Sequence, residues 1–222
     1  MEGRQVEQGA LANGLFLIAY DEAAGRPGLA PDLLACGLVG AQLADLVMAG
    51  AMTVGADDRV VATRPGPAAR VTGEAATLVL DSIAHEPRAH PVRAWIEALG
   101  GPLTDAVRND LVERGTLAQS TGRTLLGRSR TRLTATDTTA ARAPSIALRE
   151  MVRAPATFTL PGAVTLVLVS ALGVERLLEP EVDRATARAL ARDAAGHLPA
   201  PVERLRQGLA ETAAAAGVAV RR

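Results

Sequence analysis

The densest chemical signal in the sequence is a run of guanidinium groups. Between Glu113 and Asp137 there is no acidic residue, and Arg114, Arg123, Arg128, Arg130 and Arg132 fall inside that interval. The last three alternate, so an extended chain would carry them on one side. Arginine forks match the oxygens of phosphate and carboxylate. Near an anionic leaflet each basic residue contributes roughly 1 kcal/mol, so about three to five acting together give reversible attachment. The same residues also fit a solvated hairpin whose charges keep the protein dissolved or pair with a neighbouring subunit's acids. A second set, Arg184, Arg188 and Arg192, recurs every fourth residue with Glu181, Asp183 and Asp193 close by in sequence. That pattern reads as a solvated, salt-bridged helix face.

Groups able to catalyse are sparse. His85 follows Asp81 by four residues on an expected helix, a spacing that lets a carboxylate orient an imidazole. No G-x-S-x-G elbow accompanies the pair, and a histidine at a helix end is explained by the helix dipole. His90 precedes Pro91 as a turn or cap residue, and His197 sits in a Gly-His-Leu-Pro turn. No H-E-x-x-H or comparable spacing points to a metal, and no cofactor is implied. The single cysteine, Cys36, lies in an apolar helical run and reads as a buried structural thiol. Every basic residue is arginine. Without lysine, the usual P-loop, protein-kinase and Schiff-base chemistries are excluded. The 24 basic residues balance the 24 acidic ones, and no aromatic residue interleaves the arginine run, which argues against nucleic-acid binding.

The elements that would carry these groups are mostly helical. Aromatics make up only 2% of the 222 residues, so Leu, Val, Ile and Ala must fill the core, and Ala and Leu favour helix. Leu15 to Tyr20 reads as a short strand or stiff extended segment leading to a turn at Gly25-Arg26-Pro27-Gly28. Pro31 to Ala49 is polar only at Asp32, Gln42 and Asp45; a helix apolar on nearly all sides belongs at the centre of a bundle. A polar stretch from Gly55 to Gly73, with a short hairpin near Val60-Val61, precedes a helix from Glu74 to His85. A short helix from Pro91 to Leu99 and another capped by Thr104 follow, the latter stopped by Gly115. Thr116 to Leu126 reads as a β-hairpin turning at Thr121-Gly122. Ser145 to Arg153, Pro161 to Leu172, Glu181 to Ala195 and Pro199 to Ala216 complete the helices, the last two as amphipathic surface elements. No apolar stretch reaches the roughly 18 uninterrupted residues of a membrane span. The first residues carry acids where a signal peptide carries positive charge, so a cytoplasmic location is expected. No linker or repeat divides residues 1–222, which read as a single domain.

Two segments carry a family resemblance. LFLIAYDEAAGRPGLAPDLLACGLVGAQLADLVMAGAM (15–52) and LTDAVRNDLVERGTLAQSTGRTLLG (103–127), in that order and spacing, resemble the Golgi phosphoprotein 3 family. The first matches its segment, turn and central helix around a Gly-Leu-x-Gly core. The second matches its Leu-Val-Glu-Arg-Gly-x-Leu helix end running into a hairpin. The resemblance implies a mainly α domain, with a central helical bundle ringed by amphipathic helices and a projecting β-hairpin. It implies an adaptor, not an enzyme: eukaryotic members are peripheral Golgi proteins that bind phosphatidylinositol 4-phosphate and the tails of membrane glycosyltransferases, and their hairpin takes part in self-association. The family's headgroup-pocket positions fall here on Ala30, Val39, Gly101 and Thr104, and only Thr104 offers even a hydroxyl. The expected function is therefore peripheral association with anionic lipid at the inner face of a membrane, through Arg123, Arg128, Arg130 and Arg132. The alternative is a protein-interaction or self-assembly module, acting on a client or through its hairpin, without lipid affinity.

Overall fold

In the computed structural model, residues 10–63, 73–123, 129–179 and 182–219 are described. All but the last residue of the apolar run at 15–20 folds as the end of a helix, α1 (Ala10–Ala19), and not as a strand. Leu11, Ala12, Leu15, Phe16, Ile18 and Ala19 are all buried, so the run is apolar around its circumference and its periodicity is silent on helix against strand. A remote residue settles the matter. The Leu11 amide, one of the unpaired donors of the first turn, donates to the Asp45 carboxylate at 3.1 Å. That carboxylate satisfies a helix start from 34 residues away.

Two residues of β1 (Tyr20–Asp21) pair antiparallel with β2 (Arg26–Pro27). The turn between them falls at residues 22–25, ending on Gly25 at φ +63°, and not at Gly25–Gly28 as expected, because Arg26 and Pro27 are held in the strand pair. Then comes α2 (Pro31–Met48), opened by Pro31 and followed by Gly50 at φ +71°. Twelve of its eighteen residues are buried, and it is the axis of the bundle, packed against α1, α4 (Val92–Glu113), α6 (Leu160–Ala171) and α8 (Ala200–Ala219). By length and composition α2 could cross a membrane, contrary to the reading of its polar interruptions as too frequent. Its place at the centre of the fold accounts for the apolar character. Where α2 meets its neighbours it does so through missing side chains. A Cβ on Gly37 would come within 2.8 Å of Leu172, one on Gly40 within 2.7 Å of Leu209, and one on Gly100 of α4 within 2.9 Å of the Ala35 methyl group.

The hairpin near Val60 is β3 (Met52–Val54) with β4 (Arg59–Ala62), and β5 (His90–Pro91) adds a third strand. The helix α3 (Glu74–His85) lies where the sequence places it. The two short helices expected at Pro91–Leu99 and after Thr104 are one continuous helix, α4, with Pro102 inside it. Thr104 caps nothing; its hydroxyl donates back to the Gly100 carbonyl at 2.7 Å, an intrahelical bond.

The projecting hairpin is β6 (Leu117–Arg123) paired with β7 (Ser129–Ala135). Gly122 pairs with Arg130, so Thr121-Gly122 is strand and not turn. The helix α5 (Thr138–Arg153) runs through Pro144, with Asp137 capping it through the Ala140 amide. α6 is as expected, α7 spans Arg184–Ala195, and α8 is less peripheral than its amphipathic pattern suggests. Val202, Leu205, Leu209 and Ala213 are buried against the bundle. The architecture is mainly α: a helical bundle with small antiparallel sheets.

Candidate anion-binding surface

The base of the hairpin is built to hold one arginine in place. Leu117 and Leu133 enter the core, while the Leu133 amide donates to the Gly25 carbonyl at 2.8 Å and the Tyr20 hydroxyl donates to the Leu133 carbonyl at 3.1 Å. Burial, then the Glu22 carboxylate, push the Tyr20 phenol above its usual range, so it stays a donor at any physiological pH. These bonds seat β7 against the β1–β2 turn. Arg132 lies across that turn: its Cγ would stand 2.5 Å from a Cβ on Gly25, and its guanidinium donates to the Ala23 carbonyl at 3.3 Å. Glycine at 25 is thus required by both its φ and by the arginine stem covering it.

Strand register sorts the remaining arginines. Positions 130 and 132 alternate on one face with their partners Gly122 and Ser120, whereas Arg123 pairs with Ser129 and falls on the other face. Arg128 lies outside the described residues, and Arg123 and Arg130 are placed by backbone register alone. Arg114, the first member of the run, is bound to Asp110 at 2.9 Å. The five arginines therefore do not form one sheet of charge.

Two arginines that the sequence did not single out join Arg132. The side chain of Arg26, on β2, has no hydrogen-bond or ion-pair partner among the described residues. Arg176 reaches the same loop and donates to the Gly28 carbonyl at 3.5 Å. Arg26, Arg132 and Arg176 are exposed, and none is paired with an acid among the described residues. Arg142, by contrast, is neutralised by Glu22 across the same turn. Arg26 was read only as a turn residue, and nothing local links Arg176 to Gly28, 148 positions away.

Beside the turn, a cleft of about 420 Å3 opens between the start of α2 and the middle of α4, lined by Arg26, Leu29, Asp32, Gly101, Thr104 and Asp105 among others. The structure thus brings two of the four headgroup-pocket positions, Gly101 and Thr104, into one cleft, with Ala30 exposed beside it between two lining residues. Val39 is wholly buried and does not line it. The polar groups present are one arginine, one hydroxyl already engaged with Gly100, and two carboxylates, Asp105 being paired with Arg108 at 2.8 Å. Two carboxylates beside one guanidinium make a poor receptor for a dianionic phosphate.

The other sequence candidates resolve into structural roles. Nδ1 of His85 meets the Asp81 backbone carbonyl at 2.8 Å, not the carboxylate, and His197 does the same with Asp193 at 2.9 Å. His90 stands edge-on to Trp95, centroids 5.9 Å apart, and pairs with Glu86 at 3.3 Å. Cys36 is buried, its thiol pushed up to about 12 by desolvation. Among the described residues no three His, Cys, Asp or Glu side chains are placed to share a metal ion. The Arg184–Arg188–Arg192 stripe is ion-paired in part, but to more distant acids. Arg184 takes Glu179 at 3.1 Å and Arg188 takes the buried Glu175 at 2.7 Å, while Asp183 caps α7 through the Ala185 and Thr186 amides. Glu181 lies outside the described residues.

No curated protein matches the chain. A family model does, the one described as Golgi phosphoprotein 3 (GPP34), over residues 11–217. That span takes in every described helix and the hairpin but for the ends of α1 and α8. The chain belongs to the Golgi phosphoprotein 3 family.

Proposed function

We propose that the chain is a non-catalytic adaptor-type protein that attaches peripherally to an anionic phospholipid surface, on the cytoplasmic face of a membrane. The contact is the seam between the hairpin and the β1–β2 turn. The observation that carries this is the convergence there of Arg26, Arg132 and Arg176, exposed and unpaired with acids, at the root of a strand that continues with Arg130. The carbonyl bonds of Arg132 and Arg176 orient their guanidinium groups without neutralising them. Family membership supports the adaptor role. The two carboxylates of the cleft favour the surface arginines over a phosphoinositide pocket, and on this reading binding follows the charge density of the leaflet more than the identity of its headgroup.

Flotation with vesicles of graded anionic lipid content tests the reading. The bound fraction rises with anionic content and falls with added salt. Replacing Arg26, Arg132 and Arg176 by Ser weakens attachment by roughly fivefold per residue, the equivalent of ~1 kcal/mol each. Replacing Arg128, Arg130 and Arg132 weakens it similarly. Absence of binding to strongly anionic vesicles at low salt would refute the proposal.

A second reading, self-assembly without lipid, draws on the hairpin itself. As a two-stranded sheet it offers an outer edge on each strand, and residues 118–122, 131 and 132 are exposed. Light scattering separates the two: a mass of one chain at every concentration removes this alternative.

A further inference from the structure

A larger cavity, of about 630 Å3, lies on a different face, between the second half of α6, the end of α7 and the first half of α8. Its apolar wall is Val167, Ala171, Ala191 and Ala195, side chains short enough to leave a trough between three helices. Its charged residues are Arg192, Arg206 and Glu203. Two of these cancel. Arg206 donates two bonds to Glu203, at 2.8 and 2.7 Å, and Gln207 adds a third at 3.0 Å. This ion pair holds the Glu203 carboxyl below its usual range and leaves no free donor fork on that side.

Arg192 is the remainder. Its one recorded bond runs from Nε to the backbone carbonyl of Arg188 at 3.4 Å. It has no carboxylate partner among the described residues, although its neighbours on the stripe, Arg184 and Arg188, each have one. The Nε bond runs back along α7, and the terminal amino groups have no partner among the described residues. The trough therefore combines an alanine-lined apolar wall, a locked ion pair and one positive charge in excess. Its size falls within the usual range for small-molecule sites.

We infer that this trough binds a small organic monoanion, a carboxylate on an aliphatic body, with Arg192 gripping the carboxylate and the wall of Val167, Ala171, Ala191 and Ala195 receiving the chain. A guanidinium fork matches a carboxylate bidentately, and an aliphatic body suits the Val and Ala side chains, which are interrupted by one hydroxyl, that of Ser170. None of these residues belongs to the hairpin or the β1–β2 turn, so the inference is independent of membrane attachment.

Titration calorimetry and saturation-transfer NMR with octanoate, set against octyltrimethylammonium on the unmodified chain, test it. Octanoate binds saturably and the cation of equal chain length does not. Arg192→Gln weakens octanoate binding by at least about tenfold, as expected for loss of a charge-assisted pair. Arg184→Gln, on the same helix but outside the trough, leaves it unchanged, and Ala195→Leu abolishes binding by filling the wall. Lack of saturable octanoate binding, equal binding of the cation, or an Arg192→Gln variant that binds as before each overturns the inference.

Discussion

At the scale of single residues, the most exacting position outside the candidate surface is Asp58. It has φ +63°, the one described non-glycine residue in that region, and its carboxylate lies against the backbone of Gly208 on α8. Desolvation, followed by the charges of Glu211 and Asp57, raises its pKa above the ordinary value. A carboxyl raised in the folded state favours folding when protonated. Its contribution is complete below the unfolded value near 3.8, and is lost as pH climbs through the folded-state value. At neutral pH the ionised Asp58 is thus a net cost. Asn tolerates the left-handed conformation and carries no charge. Asp58→Asn is therefore expected to raise the melting temperature at pH 7, by an amount that shrinks toward zero near pH 4 as the native carboxyl protonates. An equal difference at both pH values would mean that the charge is not the cause. The arginines show the same distinction between type and circumstance. The sequence displays five in a row and says nothing of which ones an acid has already claimed. Only the fold reveals that Arg114 is bound to Asp110 and that Arg26 is not so bound.

Among the elements, the hairpin is the most separable. Its anchors lie at its root: Leu117 and Leu133 in the core, the Leu133 amide on Gly25 and the Thr136 hydroxyl on Gly115. Replacing residues 121–131 by Asn-Gly, a pair suited to a tight two-residue turn, keeps all four anchors and the Arg132 side chain. The truncated protein is expected to melt within about 0.5 kcal/mol of the parent, while its flotation on anionic vesicles drops. A cooperative loss of structure would show that the removed strands support the bundle. Element boundaries are also where the sequence was least legible. The α1 helix was hidden because a run apolar on every side has no period, and its start depends on Asp45, far along the chain. The break expected near Pro102 did not form. Proline costs a helix one amide bond and crowds the preceding turn, yet α4 is buried on both sides of it through Leu99, Leu103, Ala106 and Val107, and packing outweighs the local penalty. The hairpin's turn was misplaced because Thr-Gly is a turn signal in the absence of a partner strand; seven paired residues on each side override it. By contrast, α2, α3 and α6 were readable from their apolar pattern, with Pro31 and Gly50 bounding α2 and Pro161 in the first turn of α6. The cleft at Gly101 and Thr104 could be located by resemblance. Its charge could not be read that way, since Arg26, Asp32 and Asp105 meet only after α2 and α4 pack.

Taken whole, the molecule is organised around one helix that its neighbours touch at backbone distance. Gly40→Val tests that organisation. The new side chain starts 2.7 Å from Leu209, itself fully buried, so there is no free volume to yield into. Overpacking of this kind costs about 2 kcal/mol, readable as a lower urea midpoint with an unchanged slope. A neutral outcome would mean that α8 is free to shift outward. The same crossings bear on how a protein of this shape conveys information. The Ala35 methyl group stands against Gly100 of α4, Leu172, just past α6, against Gly37, and Leu209 of α8 against Gly40. A shift of any of these neighbours requires repacking at a backbone crossing, and dense interiors switch between discrete arrangements instead of deforming gradually. The crossings thus disfavour signalling by a gradual change of shape. On the proposed function such a body acts by being present at a place: a fixed peg whose message is its address.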